Sequence, residues 1–145
     1  SPHEKILEVG AGSGFMGRAI TSRLSSSSSK YYVATDASAQ NHSNVIQMDY
    51  RRALKTFRPS LVIASWMPRN ENWTHVFQES SSVNEYLMIG DPTLCGTSDS
   101  WISTSSDFRS RTLDKLSSLQ ICRYDHFLFN GSFKSRSITR SFTRC

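Results

Sequence analysis

The most constraining stretch of the chain is Lys5-Ile6-Leu7-Glu8-Val9, an apolar run holding one carboxylate, followed at once by glycines at 10, 12 and 14. Glycine reaches positive φ without steric cost and weakens a strand interior, so the run reads as a strand that must end and turn there. Phe15, Met16, Ala19, Ile20 and Leu24 then recur at helical spacing, and the five serines at 25–29 predict a loop that stops the helix. Strand, glycine turn and helix together aim the helix N-terminal amides at whatever lies against the glycines.

The same pattern repeats downstream. Tyr31–Thr35 reads as a second strand ending at Asp36, and Asn44–Met48 as a third ending at Asp49. Arg52–Phe57 predicts a brief helix before Pro59, and Leu61–Ser65 is the continuous apolar run of a strand covered on both faces. A helix over Trp73–Glu79 leads to a fifth strand, Glu85–Ile89, closed by Gly90, Asp91 and Pro92. A further helix is predicted over Arg111–Leu119. Strands six and seven are expected at Gln120–Phe129 and Ser135–Thr143, an antiparallel pair at the sheet edge joined through Asn130-Gly131. Along the last strand, Arg136, Ile138, Arg140, Phe142 and Arg144 fall on one face. The alternation implies an α/β protein of three layers, α/β/α, with right-handed crossovers and a mostly parallel seven-stranded sheet whose last pair, and above all its last strand, runs antiparallel.

At 145 residues, 37% of them hydrophobic, the chain suits a single domain over 1–145 with one real core. It holds no stretch of the ~18–20 apolar residues that a membrane span needs and no secretion signal at its start, so a cytoplasmic location is expected, with the nucleus as the other intracellular option. Cys95, Cys122 and Cys145 form no C-x-x-C pair, and His3, His42, His75 and His126 lack metal-ligand spacing, so no metal is expected. The net charge of +5 is uneven: residues 1–100 carry nine Lys/Arg against nine Asp/Glu, residues 101–145 eight against three. A basic C-terminal third can attract nucleic acid, or simply keep the protein soluble.

The segment Glu8-Val9-Gly10-Ala11-Gly12-Ser13-Gly14 closely resembles the E/D-x-G-x-G-x-G signature of class I S-adenosylmethionine-dependent methyltransferases, the Rossmann-like, seven-stranded family. The resemblance is specific over residues 5–50 and extends along the chain as a strand order. It implies that Glu8 helps hold the methionine end of S-adenosylmethionine, directly or through water, while the backbone of Gly10, Ala11, Gly12 and Gly14 passes against it. Asp36 would grip both ribose hydroxyls, with Ala37 beside it. Asp49 would meet the adenine amino group, Met48 and Tyr50 flanking the ring, and Ser65 would close the set at the end of strand four. Trp66, Met67 and Pro68, with Asp91 as a candidate general base, would line the acceptor side. No catalytic residue is otherwise assigned, and the methyl acceptor is unidentified. The Asn/Asp-Pro-Pro-Tyr/Phe sequence of many amino-group methyltransferases is missing.

Departures from the family's pattern set the rivals. The Glu8 to Asp36 interval is long, the excess falling on the serine loop, and only four residues precede Lys5, so the pocket is expected to be open or completed by a partner or a further segment. Gly12, Gly14 and Gly17 also match the G-x-G-x-x-G of NAD(P)-binding Rossmann oxidoreductases, displaced two residues beyond the strand, whereas the pattern fails from Gly10 because position 15 is Phe. A non-catalytic methyltransferase-like binding module is the third reading.

Overall fold

A computed structural model of the protein describes residues 5–38, 42–102, 105–117 and 137–145. Among them lie strands β1 (Ile6–Val9), β2 (Tyr32–Asp36), β3 (Ile46–Gln47), β4 (Leu61–Ser65), β5 (Glu85–Gly90), β6 (Phe108–Thr112) and β7 (Ile138–Arg144). The helices are α1 (Phe15–Thr21), α2 (Ser26–Ser29), α3 (Tyr50–Phe57), α4 (Thr74–Glu79) and α5 (Asp114–Ser117). The strands form one sheet in the order β3-β2-β1-β4-β5-β7-β6. β1 to β5 are mutually parallel, while β7 lies antiparallel to both β5 and β6.

Strand β1 is central because its residues can be buried on both faces, and period two sorts them. Leu7 and Val9 pack with Val62, Ala64, Tyr86 and Met88 and with Ala53, Leu54 and Phe77 of α3 and α4, forming the main core. Glu8 points the other way, toward Gly17 of α1 and Tyr32 of β2. The α3 sequence suits its place: Asp49 caps it by accepting from the Arg51 and Arg52 amides, and Ala53 and Leu54 are its buried residues. Tyr86 anchors the far side of the core, stacked on Phe142 at 4.5 Å and edge-on to Phe77 at 5.6 Å, with its hydroxyl accepting from Gln78 Nε2. Among the described residues no helix is long and apolar enough to cross a membrane.

Three expectations are corrected. The serines at 26–29 form a single helical turn, since the Ser25 carbonyl accepts from the Ser28 and Ser29 amides and the hydroxyls of Ser25 and Ser28 bond each other. Among the described strands only β7 is reversed, because β6, antiparallel to β7, runs with the first five strands. Arg111 and Thr112, assigned from sequence to a helix, belong to β6, a strand with one buried apolar residue, Phe108, and exposed Arg109, Ser110 and Arg111. So polar an edge strand resists unwanted pairing but leaves no hydrophobic alternation to read. Along β7, Arg140 and Arg144 are tied to protein oxygens. Arg140 donates to the Trp101 carbonyl and Thr112 Oγ1, and Arg144 to the carbonyls of Gln78, Ser80 and Val83. The strand expected at 120–129, its Asn130-Gly131 turn and Arg136 lie outside the described residues.

Candidate functional site

The glycine turn is built as its composition requires. Gly10, Gly12 and Gly14 hold φ values of 67°, 55° and 72°, a region that side-chain-bearing residues seldom adopt. The Ala11 amide donates to the Thr35 carbonyl at 3.0 Å, and the Gly14 amide folds back onto the Ala11 carbonyl at 2.8 Å. Asp36, at the carboxyl end of β2, ties the turn down: Oδ2 accepts from the Gly12 amide at 2.8 Å and Oδ1 from the Ser38 amide at 2.7 Å. Asn44 secures the other end, donating to the Gly14 carbonyl at 3.1 Å and accepting from Arg18.

A cleft of about 320 Å³ opens beside this turn, at the carboxyl ends of the parallel strands, where open α/β sheets place their ligands. Its walls are Gly10, Asp36, Ala37, Ser38, Met48, Tyr50, Trp66, Pro68 and Trp73. Seven of these were expected from sequence; Ser38 and Trp73 were not. Trp73 stacks on Tyr50 at 4.9 Å and lies so close to Gly10 that an added Cβ would meet its ring at 3.0 Å. The sequence places Trp73 at the head of a helix, and nothing in periodicity reveals that its ring closes over a glycine more than sixty positions earlier. Trp66, 42% exposed, holds φ at 56° immediately after β4. A bulky residue in this region costs on the order of 1–3 kcal/mol, and such strain collects where a side chain must be presented.

The other expected residues stand apart from the cleft walls. Ala11, Gly12 and Gly14 shape the turn, and Ser65 ends β4. Asp49 is the cap of α3, between the walling residues Met48 and Tyr50. Met67 is buried in the main core. Asp91 is buried, with Oδ1 accepting from the amide and hydroxyl of Thr93, an Asx turn that fixes the end of β5.

Glu8 also lies behind the cleft rather than in it, because its register opposite Ala34 and Ile63 turns its side chain onto the α1 face. There the Tyr32 hydroxyl donates to Glu8 Oε2 at 2.7 Å. Burial pushes the Glu8 carboxyl above its ordinary value, with the Tyr32 hydrogen bond opposing the shift. The folded protein therefore keeps this proton to higher pH than the unfolded chain does. The associated stability is complete below the unfolded value of 4.5 and is lost as pH rises through the folded one. Glu8→Gln, whose carbonyl can still accept from Tyr32, is expected to be more stable than the parent at neutral pH, with the difference closing below 4.5. Urea midpoints measured across that range check the sign; a parent that gains stability as pH rises there, relative to the variant, contradicts it.

Comparison with solved structures places this arrangement. The chain superposes on the 23S rRNA methyltransferase ErmE with a TM-score of 0.53 at 15% identity, over 99% of this chain and 62% of that one. It also matches DNMT2 of Spodoptera frugiperda, in a substituted form, with a TM-score of 0.49 at 14% identity, over 97% of this chain and 50% of that one. The chain thus spans about three-fifths of the length of ErmE. No protein-family profile matches the sequence, and no curated protein does. The fold is that of the class I S-adenosylmethionine-dependent methyltransferases, with an antiparallel β7 inserted between β5 and β6. The all-parallel 3-2-1-4-5-6 order of dinucleotide-binding Rossmann domains lacks that insertion.

Proposed function

We propose that the protein is a methyltransferase domain that binds S-adenosylmethionine in the cleft at β1, β2 and β4 and methylates an acceptor at its Trp66 side. The observation that carries this reading is Asp36. Among the described residues it is the single carboxylate of the cleft walls, which include no Lys, Arg or His. A cleft of that charge suits a cationic nucleoside with a free diol, and the antiparallel β7 between β5 and β6 argues against the oxidoreductase reading. A carboxylate offers about four acceptor positions, so the two backbone amides on Asp36 leave capacity for two ribose hydroxyls.

In this reading Gly10 gives the ligand close approach to backbone, Asp36 grips the ribose, and Ala37, Met48 and Tyr50 flank the adenine. When bound, the cofactor supplies an electrophilic methyl group on a sulfonium. In-line displacement at such a centre asks the protein chiefly for alignment and exclusion of water. Trp66 and Pro68 are placed to hold the acceptor, and Trp73 to close the wall behind Gly10. Glu8 acts one step back, seating Gly17 and Tyr32 beneath the turn. The fold shared with ErmE, an rRNA methyltransferase, favours a nucleic-acid acceptor.

Calorimetric titration of the folded protein with S-adenosylmethionine and S-adenosylhomocysteine tests the proposal. Micromolar-range affinity for both, with no heat from NAD or NADP, is the expected outcome. Absence of heat from both sulfur nucleosides, with the melting transition intact, overturns it.

A further inference from the structure

A second cavity, also of about 320 Å³, lies between α3 and α4, away from the cleft walls already described. Arg51, Lys55 and Arg58 line one side of it, and Val76, Glu79 and Ser80 the other. We propose that this groove binds the phosphates of a single nucleic-acid strand and leads that strand toward the cleft. The inference extends the methyltransferase reading by locating its partner, but the binding it describes does not depend on the cofactor.

Charge comes first. Four of the nine Lys/Arg in residues 1–100 fall at 51, 52, 55 and 58, although that part of the chain is neutral as a whole. Arg51 and Lys55, four positions apart, share one side of the helix, and Arg58 joins them at the groove from just past the helix end. All three are exposed, and Glu79 is the one acid facing them, with no ion pair joining it to them among the described residues. Arg58 holds φ 46° and ψ 58° just past the helix end, where glycine is the usual occupant. A long cation thus stands where glycine would be unstrained. In β7, by contrast, Arg140 and Arg144 are engaged by protein oxygens.

Continuity identifies the partner. The Arg51 guanidinium sits 4.7 Å over the Tyr50 ring, Tyr50 stacks on Trp73, and both rings wall the cleft together with exposed Trp66. Cations that lead along these packed rings to exposed Trp66, on the acceptor side of the cleft, match a strand whose phosphates meet the cations and whose base reaches the Trp66 face. An acidic peptide would use the cations and leave Trp66 without a role.

The test is fluorescence anisotropy with labelled single-stranded RNA and DNA of about 12 nucleotides, across a salt series. Lys55→Gln combined with Arg58→Asn is expected to weaken binding ~10-fold and to lower the slope of log affinity against log salt by roughly 1.4, about 0.7 for each lost phosphate contact. Arg109→Gln combined with Arg111→Gln, on the exposed edge strand β6, is expected to change binding far less. Polyglutamate should not displace the strand. Unchanged affinity and slope in the α3 variant, or displacement by polyglutamate as effective as by unlabelled RNA, overturns the proposal. The same variant titrated with S-adenosylhomocysteine separates the two readings: absence of that heat in parent and variant alike, with strand binding intact, removes the cofactor assignment and leaves the groove.

Discussion

Asp36→Ala is expected to weaken S-adenosylhomocysteine binding by roughly 100-fold or more. The proposed diol contacts are two hydrogen bonds to an ionised carboxylate, each contributing about 1.5–3 kcal/mol, so losing both moves affinity by at least two decades. The structure adds a second loss, because the same carboxylate fixes the Gly12 and Ser38 amides and so holds the turn against β2. Asp36→Asn separates the contributions. Its single acceptor oxygen can retain one of the two amides while the charge on the diol is gone, so the turn is better preserved than affinity. Calorimetry on both variants, with a melting curve for each, reads the two effects independently. Affinity within threefold of the parent in Asp36→Ala would remove Asp36 from the site and with it the main support for the cofactor assignment.

The reach of the sequence follows from how local each signal is. The glycine turn, the apolar runs of β1, β4 and β5 and the carboxylate at the end of β2 are legible because backbone freedom, continuous burial and strand termination are each written in a few adjacent residues. Glu8 shows the limit. Its type and position are plain, but the face it occupies depends on register with β2 and β4, which turns it to Tyr32 rather than to the cleft. Trp73 and the α3–α4 groove are products of distant pairing, and β6 is hidden because an exposed edge strand has little apolar content. Met67 reads as a site residue next to Trp66, yet the left-handed turn at Trp66 presents one side chain to solvent and sends the next into the core.

The largest stability effect is expected at Gly14, and a comparison with Gly12 isolates its cause. Both hold positive φ, which costs a side-chain-bearing residue about 1–2 kcal/mol. At Gly12 that is the whole cost, since an added Cβ meets nothing within 4 Å. At Gly14 the Cβ would fall 2.5 Å from Val45 Cγ2, and closer still to the Asn44 amide nitrogen. Relieving the contact must disturb Asn44, whose side chain bonds both the Gly14 carbonyl and Arg18, adding about 1–3 kcal/mol of overpacking. Gly14→Ala is therefore expected to lose about 2–5 kcal/mol, against about 1–2 for Gly12→Ala, measured as urea midpoints at constant slope. Combining Gly14→Ala with Asn44→Ala should cost less than the sum of the two, because the amide that clashes is already gone. The residual penalty then belongs to Val45 and to φ. Equal losses for Gly12→Ala and Gly14→Ala would mean that the 44–45 segment yields freely, and that the turn is anchored from β2, by Asp36 and the Thr35 carbonyl, without Asn44.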